Sequence, residues 1–349
     1  MRVTTLASLD SEPMTRGGRG ELYAALAAIG YGSAYVATAF ALRSLGPLPI
    51  AVYRTFFAAI ALALLLAIRR QRSVAGRAAP TRGPAAGASR AIGASAVRRA
   101  VHLLVIAAFG GPIFLAGMNL AIAGVGPTIA SFVAGLYAVL AAVFAPFLLR
   151  ETLRPRALAG FVAALLGTAL LAELDVAGAG ASGIAWGLLA AVSFALFLVL
   201  SRKWAGPDGF DGITVALATM TETTLGIGAW VLATNPGSLV PASLLPEAAI
   251  SIAWLAFVAA TGQALAVASA RLVPASRTAA FLLLNPVTAT GLSFVLLAER
   301  PSAVQVLGGA LVLAGIALAT VQRPSRAAAP VLAGTGAERP WSRHGGQGR

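Results

Sequence analysis

Cysteine is absent from the 349 residues, so the chain has no disulfide and no thiolate metal site. Lysine occurs once, at Lys203, outside any glycine-rich phosphate loop, which removes a P-loop and direct use of ATP. There are two histidines, His102 and His344, so neither a metal centre nor a Ser/His/Asp arrangement is expected, and with them an intramembrane enzyme. No cofactor is called for. Acidic residues number only 12 against 26 Lys and Arg, a formal charge of +14. That excess does not point to nucleic acid, because the arginines fall in loops and tails between apolar segments. The first twenty residues are polar and lack the apolar stretch of a signal peptide.

What is abundant is apolar: 58% of residues are hydrophobic, 11% are charged, and mean hydropathy is +0.84. A soluble domain of this composition could not cover its own core, so a polytopic membrane protein is expected. Ten stretches are long enough to cross a bilayer: 22–42, 47–68, 101–123, 125–149, 155–173, 181–201, 212–233, 247–270, 274–297 and 301–321. They must be helical, since lipid offers the backbone no hydrogen-bond partner. The Ala-, Gly- and Arg-rich linker 69–100 and the tail 322–349 are expected to be disordered.

The chain is one unit written twice. The stretch around 273–319 repeats the one around 126–172 at an offset of 148, which carries Glu151 onto Glu299, Gly160 onto Gly308 and Gly167 onto Gly315. The first two helices match at an offset of 163, placing Gly20 on Gly183. An N-tail (1–20), a first repeat (21–175), a second repeat (181–321) and a C-tail follow. Of the 26 basic residues, only Arg43 and Arg300 fall in the odd-numbered loops, and Arg54 alone lies well inside a span. The remainder lie in the even-numbered loops and tails, so both termini are predicted to be cytoplasmic. Five helices per repeat is an odd number. The second copy therefore runs inverted, which is the architecture of secondary transporters. The fold class is all-α: ten transmembrane helices in two inverted repeats, in the cytoplasmic (inner) membrane.

Several residues carry a further likeness. They are Leu284-Asn285-Pro286, Leu297-Ala298-Glu299, Gly308-Gly309 and Gly315 in the second copy, and Pro47 followed by Arg54 in helix 2. With them the chain resembles the drug/metabolite transporter superfamily, specifically its EamA-type ten-helix exporters. Tyr137-Ala138 departs from the family, standing where proline is often found. The resemblance implies export of amino acids, other metabolites or drugs, usually coupled to protons.

Ionisable groups inside a span are costly and are functional candidates by default. Arg54 and Glu222 are the two. Three arrangements are open: they pair with each other or cap backbone carbonyls and hold the bundle, they face a central cavity as substrate and proton sites, or Arg54 snorkels outward and only Glu222 matters. Thr219, Thr221, Thr223 and Thr224 flank Glu222 and either back-bond to their own helix or line a wet cavity. Tyr31, Tyr35, Asn119, Gln263 and Asn285 are polar groups on helices a cavity would use, though interhelical hydrogen bonding accounts for each without substrate. Glu151 and Glu299 are expected to accept from the first turns of the helices that follow, or to pair with an arginine. Gly160, Gly167, Gly308 and Gly315 mark a close-packing face, with a homodimer as one use of it. The partners are then a small-molecule substrate, protons and membrane lipid. A non-transporting scaffold or sensor, or a lipid-linked sugar translocator, are the alternatives on the same fold.

Overall fold

The computed structural model describes residues 16–75, 89–149, 155–171, 180–204, 210–241, 243–273, 281–282 and 284–320. Among them the long elements are all helices: α1 (Arg16–Ala41), α2 (Pro47–Ala75), α3 (Ser89–Gly110), α4 (Pro112–Gly135), α5 (Tyr137–Leu149), α6 (Pro155–Leu171), α7 (Gly180–Trp204), α8 (Gly212–Thr234), α9 (Pro246–Leu272), α10 (Leu284–Leu296) and α11 (Ala303–Thr320). Proline opens α2, α4, α6 and α9, where its fixed φ suits the first turn and its missing N–H leaves no gap. Asp211 caps α8 by accepting from Thr214 N at 2.6 Å.

Among the described residues, six helical runs are long and apolar enough to cross a membrane. One of them, Ala96–Leu149, is a composite of 54 residues. It breaks at Gly111–Pro112, folds back at Gly126 (φ 76°) and tightens at Leu136. Only glycine adopts such a φ without strain, so Gly126 divides the run where the expected spans 101–123 and 125–149 part. The linker departs from expectation. Residues 69–75 and 89–100 are helical, extending α2 and α3 beyond their apolar parts. Alanine and arginine are strong helix formers, which accounts for the extension. The tail 322–349, Glu151 and most of the N-tail lie outside the described residues.

The helices alternate in direction between two ends. At one end Gly20 of α1 packs on Leu272 and Val273, and His102 stacks on Trp204 with ring centroids 4.2 Å apart. At the other, Arg43 pairs with Glu247 at 3.7 Å, Ser44 Oγ accepts from Leu245 N, and Tyr53 Oη donates to the Leu239 carbonyl. Large apolar side chains such as Phe147, Leu225, Ile250 and Val295 point outward. A lipid-facing surface accommodates them; water would not. Buried threonines satisfy their hydroxyls on the preceding turn, as Thr38, Thr55, Thr219, Thr223 and Thr224 do.

The contacts obey an internal two-fold. A Cβ on Gly167 would stand 2.6 Å from the Gly308 carbonyl oxygen, and one on Gly315 would stand 2.6 Å from that of Gly160. Exchanging the repeats turns the first contact into the second. Likewise a Cβ on Gly20 would meet a Val273 methyl at 2.9 Å, and one on Gly183 a Val125 methyl at 2.9 Å. The glycine face expected to serve close packing is therefore used within one chain, between α6 and α11. A homodimer through those four residues would find the face already covered.

Candidate functional site

Two further contacts map onto themselves under the same exchange and so mark the axis. Tyr31 and its mate Phe194 meet edge to face at 6.0 Å. Tyr137 and its mate Asn285 lie within hydrogen-bonding reach, and Asn285 also reaches Tyr35. Around the axis Phe194 contacts Phe114 at 4.7 Å, Tyr137 at 4.9 Å and Phe197 at 5.3 Å between ring centroids. Tyr137 Oη donates to the Leu282 carbonyl at 3.1 Å, just before α10 begins.

Arg54 projects from α2 into this assembly. Seven residues past Pro47, it lies ~10 Å along the helix at 1.5 Å per residue. It is 2% exposed, and Tyr31 and Tyr35 are the groups that interact electrostatically with it. Its Nε and Nη1 have no hydrogen-bond partner, and no acidic residue among those described lies within ion-pair distance. It neither pairs with Glu222 nor snorkels outward, which leaves capping of a backbone carbonyl and the cavity-facing arrangement. Alongside it, Tyr31 Oη, Asn285 Oδ1 and Gln263 Nε2 are buried and unpartnered. Tyr31 packs on Gly262, next to Gln263, whose Nε2 lies beside Gly110 and close to Phe197.

The remaining candidates lie apart. Asn119 Nδ2 donates to the Pro47 carbonyl at 2.8 Å and ties α4 to the start of α2, leaving Oδ1 free. Glu222 sits half-buried on a flank of α8, with Oε2 shielded and unpartnered and no interaction with Arg54. Its neighbours Thr219 and Thr223 face the backbone of Gly111, and Thr224 bonds Thr55 of α2 at 2.8 Å. Glu299 does not cap α11. That cap is a reciprocal pair between Ser302 and Gln305. Instead α10 ends in a turn where Ala298 has φ 54° and Glu299 N returns to the Ser293 carbonyl. Glu299 is thereby carried back to α4, where Oε2 accepts from Thr128 Oγ1 beside the Gly126 fold.

Tyr137 and Phe194 were not singled out as site residues by the sequence. The signal was available: each is the repeat mate of a residue that was, Asn285 and Tyr31. A separate open groove of about 1030 Å³ runs between α2 and α9. Its lining is apolar, with Arg69 and Thr261 as exceptions, and it contains no residue of the axial cluster.

The family model of the EamA-like transporter family matches this chain twice, over residues 18–172 and 181–321. The chain belongs to the EamA-like transporter family. It is a multi-pass membrane transporter of the drug/metabolite transporter kind. No curated protein matches it. Among solved structures, one described only as "Crystal structure of protein" is similar, with a TM-score of 0.58 at 20% identity. The alignment covers 86% of this chain and 96% of that one. At that identity the likeness shows the fold of this EamA-like transporter and nothing about its cargo.

Proposed function

We propose that this EamA-like transporter is a ten-span secondary exporter of a small metabolite or amino acid. It resides in the cytoplasmic membrane and works by alternating access with proton exchange. The observation that carries this reading is Arg54: a cation held 2% exposed beside Tyr31, where the two repeats meet, with Nε and Nη1 unpartnered. An unpaired buried charge is strongly destabilising, so a fold that keeps one at the pseudo-symmetric centre keeps it for cargo. Two halves related by such an axis exchange conformations and expose that centre to either side.

The end holding Arg19, Arg69, Arg98, Arg156, Arg202 and Arg271 is the cytoplasmic one by the positive-inside rule, against Arg43 and Arg300 at the other. Both termini then belong to the cytoplasm. Glu222, away from Arg54 and inside its span, is the proton-carrying candidate. The test is excretion of metabolites and resistance to toxic analogues on overexpression, in wild type, Arg54→Gln and Glu222→Gln, with membrane levels of each measured. Loss of excretion at equal membrane levels is the expected result. Wild-type excretion in the double variant would favour a scaffold or sensor instead.

A further inference from the structure

The axial cluster has a definite charge and shape, and these restrict what it accepts. Five acids are described in the structure: Glu21, Asp211, Glu222, Glu247 and Glu299. Glu21 stands in the second turn of α1, Asp211 just before α8, Glu247 in the first turn of α9, and Glu299 in the turn before α11. Glu222, the one described acid well inside a span, does not interact with Arg54. The axis therefore carries one positive charge and no negative one among the described residues. The repeat mate of Arg54, at the offset of 163, is Leu217, so the second half adds no charge of its own.

The unpartnered groups around Arg54 are the guanidinium Nε and Nη1 and the Gln263 Nε2, which only donate, the Tyr31 hydroxyl, and the Asn285 carbonyl oxygen. A carboxylate matches the guanidinium in charge and can accept from Nε or from Nη1. An ammonium would meet Arg54 as a like charge, with no acid to offset it. Tyr31, which lies by Arg54, also meets Phe194, and the rings of Phe194, Phe114 and Tyr137 pack together there; such rings suit an apolar or aromatic body.

We infer that the axial site takes a small organic monoanion, its carboxylate on Arg54 and its apolar body against the Phe194 ring cluster, in preference to a zwitterionic amino acid or an amine. This rests on the reading of the axis as the cargo site and narrows the cargo class.

The test uses purified full-length protein, with benzoate, phenylalanine and phenethylamine as matched probes of the three charge types. Binding is read by calorimetry and thermal shift, in wild type, Arg54→Gln and Arg54→Lys. Benzoate is expected to bind wild type and raise its Tm. Its Kd should weaken at least about tenfold in Arg54→Gln, as loss of a charge-assisted contact implies, and recover in part in Arg54→Lys. Phenylalanine and phenethylamine should leave Tm unchanged. Phenylalanine binding as tightly as benzoate, no benzoate binding to folded wild type, or benzoate binding that Arg54→Gln leaves intact would each overturn the inference. Should Arg54→Gln fail to fold, the wild-type ranking of the three probes and the Arg54→Lys affinity decide the matter. Because binding is read apart from flux, the two readings fail separately. Benzoate held through Arg54 in a chain that excretes nothing would remove transport alone. Excretion of phenylalanine by a chain that binds it at Arg54 would remove the monoanion alone.

Discussion

Tyr137 and Asn285 occupy the same place in the two repeats, 148 residues apart, and their side chains meet on the axis between the halves. One supplies a phenol and the other a carboxamide, so the pair is symmetric in position and complementary in chemistry. Tyr137 also holds the Leu282 carbonyl at 3.1 Å, at the entry to α10. Replacing Tyr137 with Phe should cost about 1 kcal/mol of stability, the net worth of a buried hydrogen bond. Flux should fall more than stability does, because the axis must reform in each transport cycle. Thermal unfolding and excretion measured on the same preparations check this.

The α6–α11 seam predicts a larger structural effect. Gly167→Val and Gly315→Val each place carbon within 2.6 Å of a facing backbone carbonyl, which forces the helices apart. A loss of roughly 1–3 kcal/mol is expected for such overpacking, seen as a lower Tm in detergent. The two variants should behave alike because the internal two-fold exchanges the two contacts. Unequal behaviour would count against the internal two-fold.

Glu299 and Thr128 clasp the repeats together at the end opposite the basic one. Thr128→Ala should loosen that end. The chain has no native cysteine, so a single cysteine in place of Val125 reports directly through a membrane-impermeant maleimide. Faster labelling is expected in the Thr128→Ala background. An unchanged labelling rate would mean the clasp does not gate that end.

Glu222→Gln should abolish acceleration of export by an imposed pH gradient while the protein still reaches the membrane. Proteoliposome flux with and without the gradient reads this out. Retention of the wild-type gradient response would transfer proton coupling to another group.

Cargo carrying one negative charge responds to membrane potential. Each charge moved across 100 mV is worth ~2.3 kcal/mol, so an inside-negative potential should drive export of an anion. Setting the potential with a potassium gradient and valinomycin should raise the rate of outward flux. Indifference to potential would point to a neutral transported species.

Composition and period were enough to specify the helical membrane class and the internal repeat, and the resemblance carried by Leu284-Asn285-Pro286, Leu297-Ala298-Glu299 and the glycines after them pointed to the family. These depend on local chemistry: apolar length, proline and glycine at helix ends, and where arginines cannot go. Arg54 also stood out in the sequence, because a charge within an apolar span is conspicuous wherever its helix packs. Its surroundings did not follow. Tyr137 and Phe194 are ordinary apolar-helix residues until α5 and α7 are brought against α1 and α10. Glu222 looked equal to Arg54 in sequence, and only the rotation of α8 set it apart on a flank. The glycines at 160, 167, 308 and 315 announced a close contact, yet a repeated pattern reads the same whether its partner lies in the same chain or in another copy. Which helix faces which is a property of packing between segments more than a hundred residues apart, and no local pattern encodes it.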